Sequence, residues 1–260
     1  MTGSSLAGRR VVVTRASEQA SGLSDRLLAA GAQVIELPLA RFFPPVDGTA
    51  FDAALDRLDT FTWVAFTSVN AVHFTWERWR KRDPQTARFT GPAIAAVGAA
   101  TAAALKDVGL HVDLVPPQAH AEALAEALIA RSAHVIRPSI LLPQANNARP
   151  ALGERLMTAG WSVTPVIAYQ AVPVAVDAQL LEAGADAVAF ASAATVERFI
   201  AGLGRERVDR LIAAGCRFYA IGPQTAAAVQ AAGLTSAAVA GDATLDALVA
   251  AIIADWKPVE

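Results

Sequence analysis

The segment IAAVGAATAAALKDVGL, Ile94 to Leu110, returns as FYAIGPQTAAAVQAAGL, Phe218 to Leu234. Gly98 pairs with Gly222, Thr101 with Thr225 and Gly109 with Gly233, each 124 positions apart, and the same offset carries Phe66 and Ser68 onto Phe190 and Ser192. Alanine matches itself cheaply in segments this rich in it. Gly, Thr, Ser and Phe held in one gap-free register do not, and such a register is what duplication leaves behind. The 260 residues suit two domains of about 130 each.

A hydrophobic content of 54% against 18% charged excludes disorder. The net charge of -2 argues against a nucleic-acid partner, since phosphate backbones ask for clustered Lys and Arg. The start, MTGSSLAGRRVVVTR, does not read as a signal peptide. The most apolar run, Pro92 to Leu105, is interrupted by Gly98 and falls short of the ~20 residues of a membrane span. A soluble, cytoplasmic protein without a membrane partner is therefore expected. Cys216 is the sole cysteine, which rules out an internal disulfide and any multi-cysteine metal site and reads as a buried apolar residue in a strand.

Short β-branched runs predict buried strands at Val11–Val13, Gln33–Leu37, Trp63–Phe66, Ala93–Val97, Val112–Val115, Ile140–Leu142, Val163–Ala168, Ala187–Phe190, Arg217–Ile221 and Ser236–Val239. Ala/Leu-rich helical segments lie between them, several ending in a glycine suited to a left-handed cap: Gly31, Gly109, Gly160 and Gly233. Such alternation predicts an α/β protein of two similar domains, each a five-stranded parallel sheet flanked by helices. If each domain holds five strands and one copy of the repeated phrase, the inserted domain takes the strands at Trp63, Ala93, Val112, Ile140 and Val163, and the other is assembled from both ends of the chain. The boundaries are then 1–38 with 172–260 for the discontinuous domain and 42–167 for the inserted one, with crossings near 38–42 and 167–172. A plain cut near residue 130 remains the alternative.

Open α/β sheets bind ligands at the carboxyl ends of their strands. There the sequence repeats strand, hydroxyl, helix: Thr14 and Ser17, Thr67 and Ser68, Thr101, Ser192 and Thr195, Thr225. A helix-capping role explains most such residues taken singly. Taken together, converging helix starts offer free N–H groups and partial positive charge, a receptor for carboxylates or phosphates that needs little Lys or Arg. No G-x-G-x-x-G or P-loop follows any strand, no G-x-S-x-G elbow is present, and His73, His111, His120 and His134 show no metal spacing. No metal site is predicted.

The stretches VVVTRASEQASGLSDRLLAAGAQVIELPLARFFPP, WVAFTSVNAV, AAVGAATAAAL, LLPQANNARPALGERLMTAGWSVTPVIAYQAVP and AIGPQTAAAVQAAGL resemble the uroporphyrinogen-III synthase family, in order from about Arg10 to Leu248. The resemblance implies two α/β domains, one made from both termini, joined by a two-stranded connector with the active site in the cleft. It implies cyclisation of the linear tetrapyrrole hydroxymethylbilane, with D-ring inversion and loss of water, by a monomer without a cofactor that contacts the preceding pathway enzyme transiently. It also implies a catalytic Tyr169, placed near the leaving hydroxyl, and substrate binding by Arg15, Thr67, Ser68, Gly98, Thr101, Ser192, Gly222 and Thr225. Packing in the hinge is the other role open to Tyr169, and a surface position the other open to Arg15. Arg217, at a position often basic in the family, could equally pair with a surface acid. The chain departs from the family where LPRGxxxRP becomes LPQANNARP, so that Gln144 and Ala145 replace a basic residue and a glycine, and where FTSPSAV becomes FASAATV, with Ala191 and Ala193. A non-catalytic tetrapyrrole or anion-binding homologue, and a different two-domain α/β transferase, are the alternatives; the missing phosphate loop counts against the second.

Overall fold

A computed structural model describes residues 6–82 and 91–256; the side chains of residues 17–21, and with them the Ser17 hydroxyl, lie outside that description. The chain divides into two compact units, Met1–Arg41 with Val172–Glu260, and Phe42–Ala171.

In the first unit, β1 (Arg10–Val13), β2 (Gln33–Glu36), β8 (Ala187–Phe190), β9 (Arg217–Ala220) and β10 (Ser236–Val239) form one sheet in the order β10-β9-β8-β1-β2, parallel throughout. Side chains alternate across a strand, so the run Val11-Val12-Val13 supplies both faces, and both are covered. Val11 and Val13 pack with Leu23 and Leu27 of α1 (Ser17–Ala29) and Leu248 and Ile252 of α10 (Leu245–Trp256). Val12 packs on the other side with Phe199 and Leu203 of α7 (Ala193–Leu203), Leu211 of α8 (Arg205–Ala213) and Val229 of α9 (Pro223–Ala231). Cys216 sits in that second layer just before β9, and burial, with Asp186 nearby, pushes its thiol up to about 12. It is therefore a neutral packing group.

In the second unit, β3 (Ala40–Phe43), β4 (Trp63–Phe66), β5 (Ala93–Ala96), β6 (Ser139–Ala145) and β7 (Ser162–Pro173) form the order β3-β7-β6-β4-β5. The pairings of β4 with β5 and β6, and of β6 with β7, are parallel. Val64 and Phe66 face α2 (Thr49–Leu55), α3 (Val69–Arg82) and α4 (Ala99–Asp107), while Trp63 and Ala65 face α5 (Ala121–Arg131) and α6 (Ala151–Thr158).

One expected strand is corrected. Val112–Val115 makes only a single parallel bridge, Leu114 to Ala95, and the fifth place in the sheet goes to Ala40–Phe43 on the far edge. The cause is Asp113, whose carboxylate accepts the Ile94 N–H (2.8 Å) that a ladder would have used, followed by Pro116 and Pro117, which have no N–H to donate. Its counterpart in the repeat, Ser236–Val239, carries no such acid and forms β10. The glycines expected at helix ends do take left-handed backbone: φ is +88° at Gly31, +82° at Gly109, +84° at Gly160 and +71° at Gly233.

Candidate functional site

In the second unit the chain leaves β4 through Thr67 and Ser68 into α3, and leaves β5 through Val97 and Gly98 into α4. Phe66 pairs with Ala96, and the Val97 N–H donates to the Phe66 carbonyl at 2.9 Å, so the two turns are neighbours on one sheet edge. Ser68 is the N-cap of α3: its Oγ accepts the Ala71 N–H at 3.1 Å. The same Oγ lies 3.2 Å from the Tyr169 hydroxyl. β7 runs past the end of β6 and takes up an extra residue, Ala168, opposite the Gln144–Ala145 step, and Tyr169 from there reaches the α3 turn.

Tyr169 is 7% exposed, stacked on Phe74 with centroids 5.4 Å apart and met edge-on by Phe42 at 5.7 Å. Sequence reasoning passed over Asn146, which holds the same strand twice: its N–H donates to the Tyr169 carbonyl (3.1 Å) and its Oδ1 accepts the Ala171 N–H (3.0 Å). It lies inside the departing motif LPQANNARP, where a side-chain amide beside a bulge was the available signal.

Thr67 is exposed in the same turn. Gly98 is the N-cap of α4 with extended backbone (φ -173°), so its conformation does not demand glycine; a Cβ there would lie 2.7 Å from the Ala119 Cβ. Thr101, three residues on, is 4% exposed, and its hydroxyl makes no hydrogen bond among the described residues.

The first unit repeats the edge with three neighbouring strands. Arg15 follows β1, Ser192 follows β8 as N-cap of α7, and Gly222 follows β9 as N-cap of α9. Among the described residues no side chain caps α7 or α9, so their first N–H groups are left to water or a ligand. The Ile221 N–H donates to the Phe190 carbonyl at 3.0 Å, the counterpart of the Val97 bond. Thr225 is 4% exposed and, like Thr101, bonds through its hydroxyl to none of the described residues. Ser192 is exposed, and Thr195 turns its hydroxyl back onto the Ser192 carbonyl (2.6 Å). Thr14 is buried and donates to the Ala189 carbonyl (3.1 Å), which ties β1 to β8. Of the strand-end hydroxyls picked out by the repeated pattern, Ser68 is the one seen capping among those with described side chains.

Arg15 is half-buried, and that burial lowers the pKa of its guanidinium. No ion pair to it is found among the described residues. Arg217 lies at the opposite end of its strand. It donates to Asp255 Oδ2 (2.8 Å) and stacks on Trp256, which gives it the acid-pairing role.

Two cavities of about 570 Å³ open elsewhere, one beside Leu181, Arg207 and Arg210, the other beside Thr62, Arg131 and His134. The second adjoins residues just before β4 and β5 begin. Neither touches Tyr169 or the hydroxyl turns, and the carboxyl edges remain the better candidates because helix starts converge there.

A family model described as uroporphyrinogen-III synthase HemD matches residues 21–250. The chain is 30% identical to the uroporphyrinogen-III synthase of Synechococcus elongatus over 95% of both chains. It is 26% identical to a putative uroporphyrinogen-III synthase of Methanothermobacter thermautotrophicus over 87% of this chain and 90% of that one. Among solved structures, a mutant uroporphyrinogen III synthase from Thermus thermophilus matches with a TM-score of 0.69 at 18% identity, covering 95% and 98% of the two chains. The Helicobacter pylori enzyme matches at 0.56 and 17%, covering 95% and 99%. Those structures share the fold of two five-stranded sheets flanked by helices, and the family match spans most of the sequence. The chain belongs to the uroporphyrinogen-III synthase family.

Proposed function

We propose that this protein cyclises hydroxymethylbilane to uroporphyrinogen III, inverting the D ring and releasing water, in tetrapyrrole and haem biosynthesis. The observation that carries the reading is the family match across residues 21–250. The pyrrole nitrogen's own electrons expel the hydroxyl of ring A, so the chemistry asks for no metal or organic cofactor. The protein must hold the chain curled and help hydroxide leave.

Each unit has the means to bind carboxylates. Arg15, with the free N–H groups behind Ser192, Gly222 and Thr225, serves in one; Thr67, Gly98 and Thr101 serve in the other. The substrate's eight carboxylates make many small contacts, so losses such as Gln144 for a basic residue cost about 1 kcal/mol each and are tolerated. The Tyr169 hydroxyl has one hydrogen to give, and serves as the proton donor to the leaving hydroxyl. We further read the protein as a cytoplasmic monomer that receives its unstable substrate through transient contact with the enzyme producing it.

The test is a coupled assay without added metal or cofactor. Hydroxymethylbilane is generated in place, the product oxidised, and porphyrin isomers I and III separated by chromatography. Isomer III in excess is expected, with kcat lowered roughly 10- to 100-fold in Tyr169→Phe. Isomer I alone, the spontaneous product, overturns the reading.

A further inference from the structure

The geometry points to Ser68 as the positioning residue that aims the Tyr169 proton at the leaving hydroxyl and stabilises the phenolate left behind. This rests on the reading of Tyr169 as proton donor. A serine hydroxyl has one hydrogen to give and two lone pairs. One lone pair of Ser68 Oγ is taken by the Ala71 N–H at 3.1 Å, and its other polar contact is the Tyr169 hydroxyl at 3.2 Å. With Ser68 donating, the row runs from Ala71 N–H to Ser68 Oγ, then from Ser68 O–H to Tyr169 Oη. The phenol's own hydrogen is thereby free for a third partner.

The direction is favoured by where the row begins. Ala71 lies in the first turn of the 14-residue α3, at the positive end of its dipole, and that turn has no acidic residue to cancel it. Each donor in the row polarises the next. Phe74 and Phe42 fix the ring, and Asn146 fixes the backbone on either side of Gln170, so the hydroxyl keeps its place.

The proton balance closes within the reaction. As the C–O bond breaks, its electron pair leaves with oxygen, which takes the Tyr169 proton and departs as water. The phenolate then faces an O–H donor already in position, with no reorganisation required. The proton lost from the pyrrole α-carbon on ring closure restores the phenol.

Three substitutions separate this role from plain helix capping. Ser68→Thr keeps both acceptor and donor, and its kcat should stay within about threefold of the parent. Ser68→Ala loses both, and kcat should fall roughly 10- to 100-fold, the range of a proton-transfer contribution, with KM changed less than threefold. Ser68→Asp keeps an acceptor for Ala71 but has no proton to give at neutral pH, so it should be slower than Ser68→Ala while unfolding at or above the parent temperature. A helix cap alone predicts the reverse, with Ser68→Asp near parental kcat, and that result overturns the inference.

A second measurement does not need turnover. The chain has two tyrosines, so protein labelled with carbon-13 at the phenol Cζ gives two signals, and Tyr169→Phe identifies which is which. Ser68→Ala should move the Tyr169 signal and leave that of Tyr219. An unmoved signal removes the hydrogen bond and the inference with it, whereas a parent protein yielding only isomer I would overturn the function beneath it.

Discussion

Gly98 and Gly222 fill matching places in the repeat, yet their surroundings ask different things of them. Both are extended, at φ -173° and -178°, so neither needs glycine for its backbone. At Gly98 a Cβ would meet the Ala119 Cβ at 2.7 Å, whereas at Gly222 the nearest atom, the Ala243 Cβ, would stand off at 3.7 Å. Gly98→Ala should therefore cost about 1–3 kcal/mol through displacement of the segment before α5. Gly222→Ala should be neutral or stabilising by up to ~1 kcal/mol, because alanine restricts the unfolded chain. Urea unfolding of the two variants decides, and equal losses would show that contact with Ala119 is not what keeps Gly98. The sequence displayed the pairing of these glycines but not this difference, since Ala119 and Ala243 are themselves partners at the same offset. The Ser68–Tyr169 contact was likewise hidden, because 101 positions separate the two residues and nothing local in either motif points to the other.

The end of α10 shows how an element is held by side chains it does not own. Tyr219 donates to Asp255 Oδ2 at 2.6 Å, Arg217 donates to the same oxygen, and Trp256 lies between the guanidiniums of Arg9 and Arg217 at 3.9 and 4.1 Å. Burial, aided by the bond to Asp255, pushes the Tyr219 phenol well above its ordinary range. Burial alone would raise the Asp255 carboxyl too, but the Tyr219 and Arg217 donors outweigh it and hold it below the usual value. A raised folded value for Tyr219 means its stabilisation is complete below the unfolded phenol pKa of about 10 and is lost as pH rises through the folded one. The depressed Asp255 contributes above about pH 4 and loses its share as pH falls through its folded value. Tyr219→Phe should lose roughly 1.5–3 kcal/mol at neutral pH, with the gap to the parent narrowing above pH 10. A gap that stays constant across that range would mean the bond to Asp255 is not its source. Among the elements, β-branched runs such as Val11–Val13 and Ala187–Phe190 were readable because continuous apolar segments signal strands covered on both faces. Val112–Val115 misled because its pattern resembles that of its partner in the repeat while Asp113 spends its carboxylate on the ladder position.

At the scale of the molecule, two copies of one design have exchanged halves. β4, β5, α4 and α5 correspond at one offset to β8, β9, α9 and α10, and left-handed Gly31, after α1, has its counterpart in left-handed Gly160, after α6. The first copy thus runs from β1 through α5 and the second from β6 through α10. Each unit takes the opening two strands of one copy and the later strands of the other. The cut near residue 130 divides the copies, while the compact units divide elsewhere. Residues 40–173 contain a whole sheet and both layers packed on it, so that fragment should unfold cooperatively in urea, whereas residues 1–131 should show no cooperative transition. A cooperative transition in the second fragment would refute the exchange as a constraint on folding. On the ribosome the same arrangement becomes a matter of timing. β1 and β2 emerge among the first residues, but the Asp186 carboxylate that accepts the Arg10 N–H, and the strand that follows it, come some 150 residues later. At about 5–20 residues per second the opening pair waits roughly 10 to 40 s for β10 to complete its sheet, with an unpaired edge on view. The earliest strands made are thus exposed longest to aggregation and to chaperones.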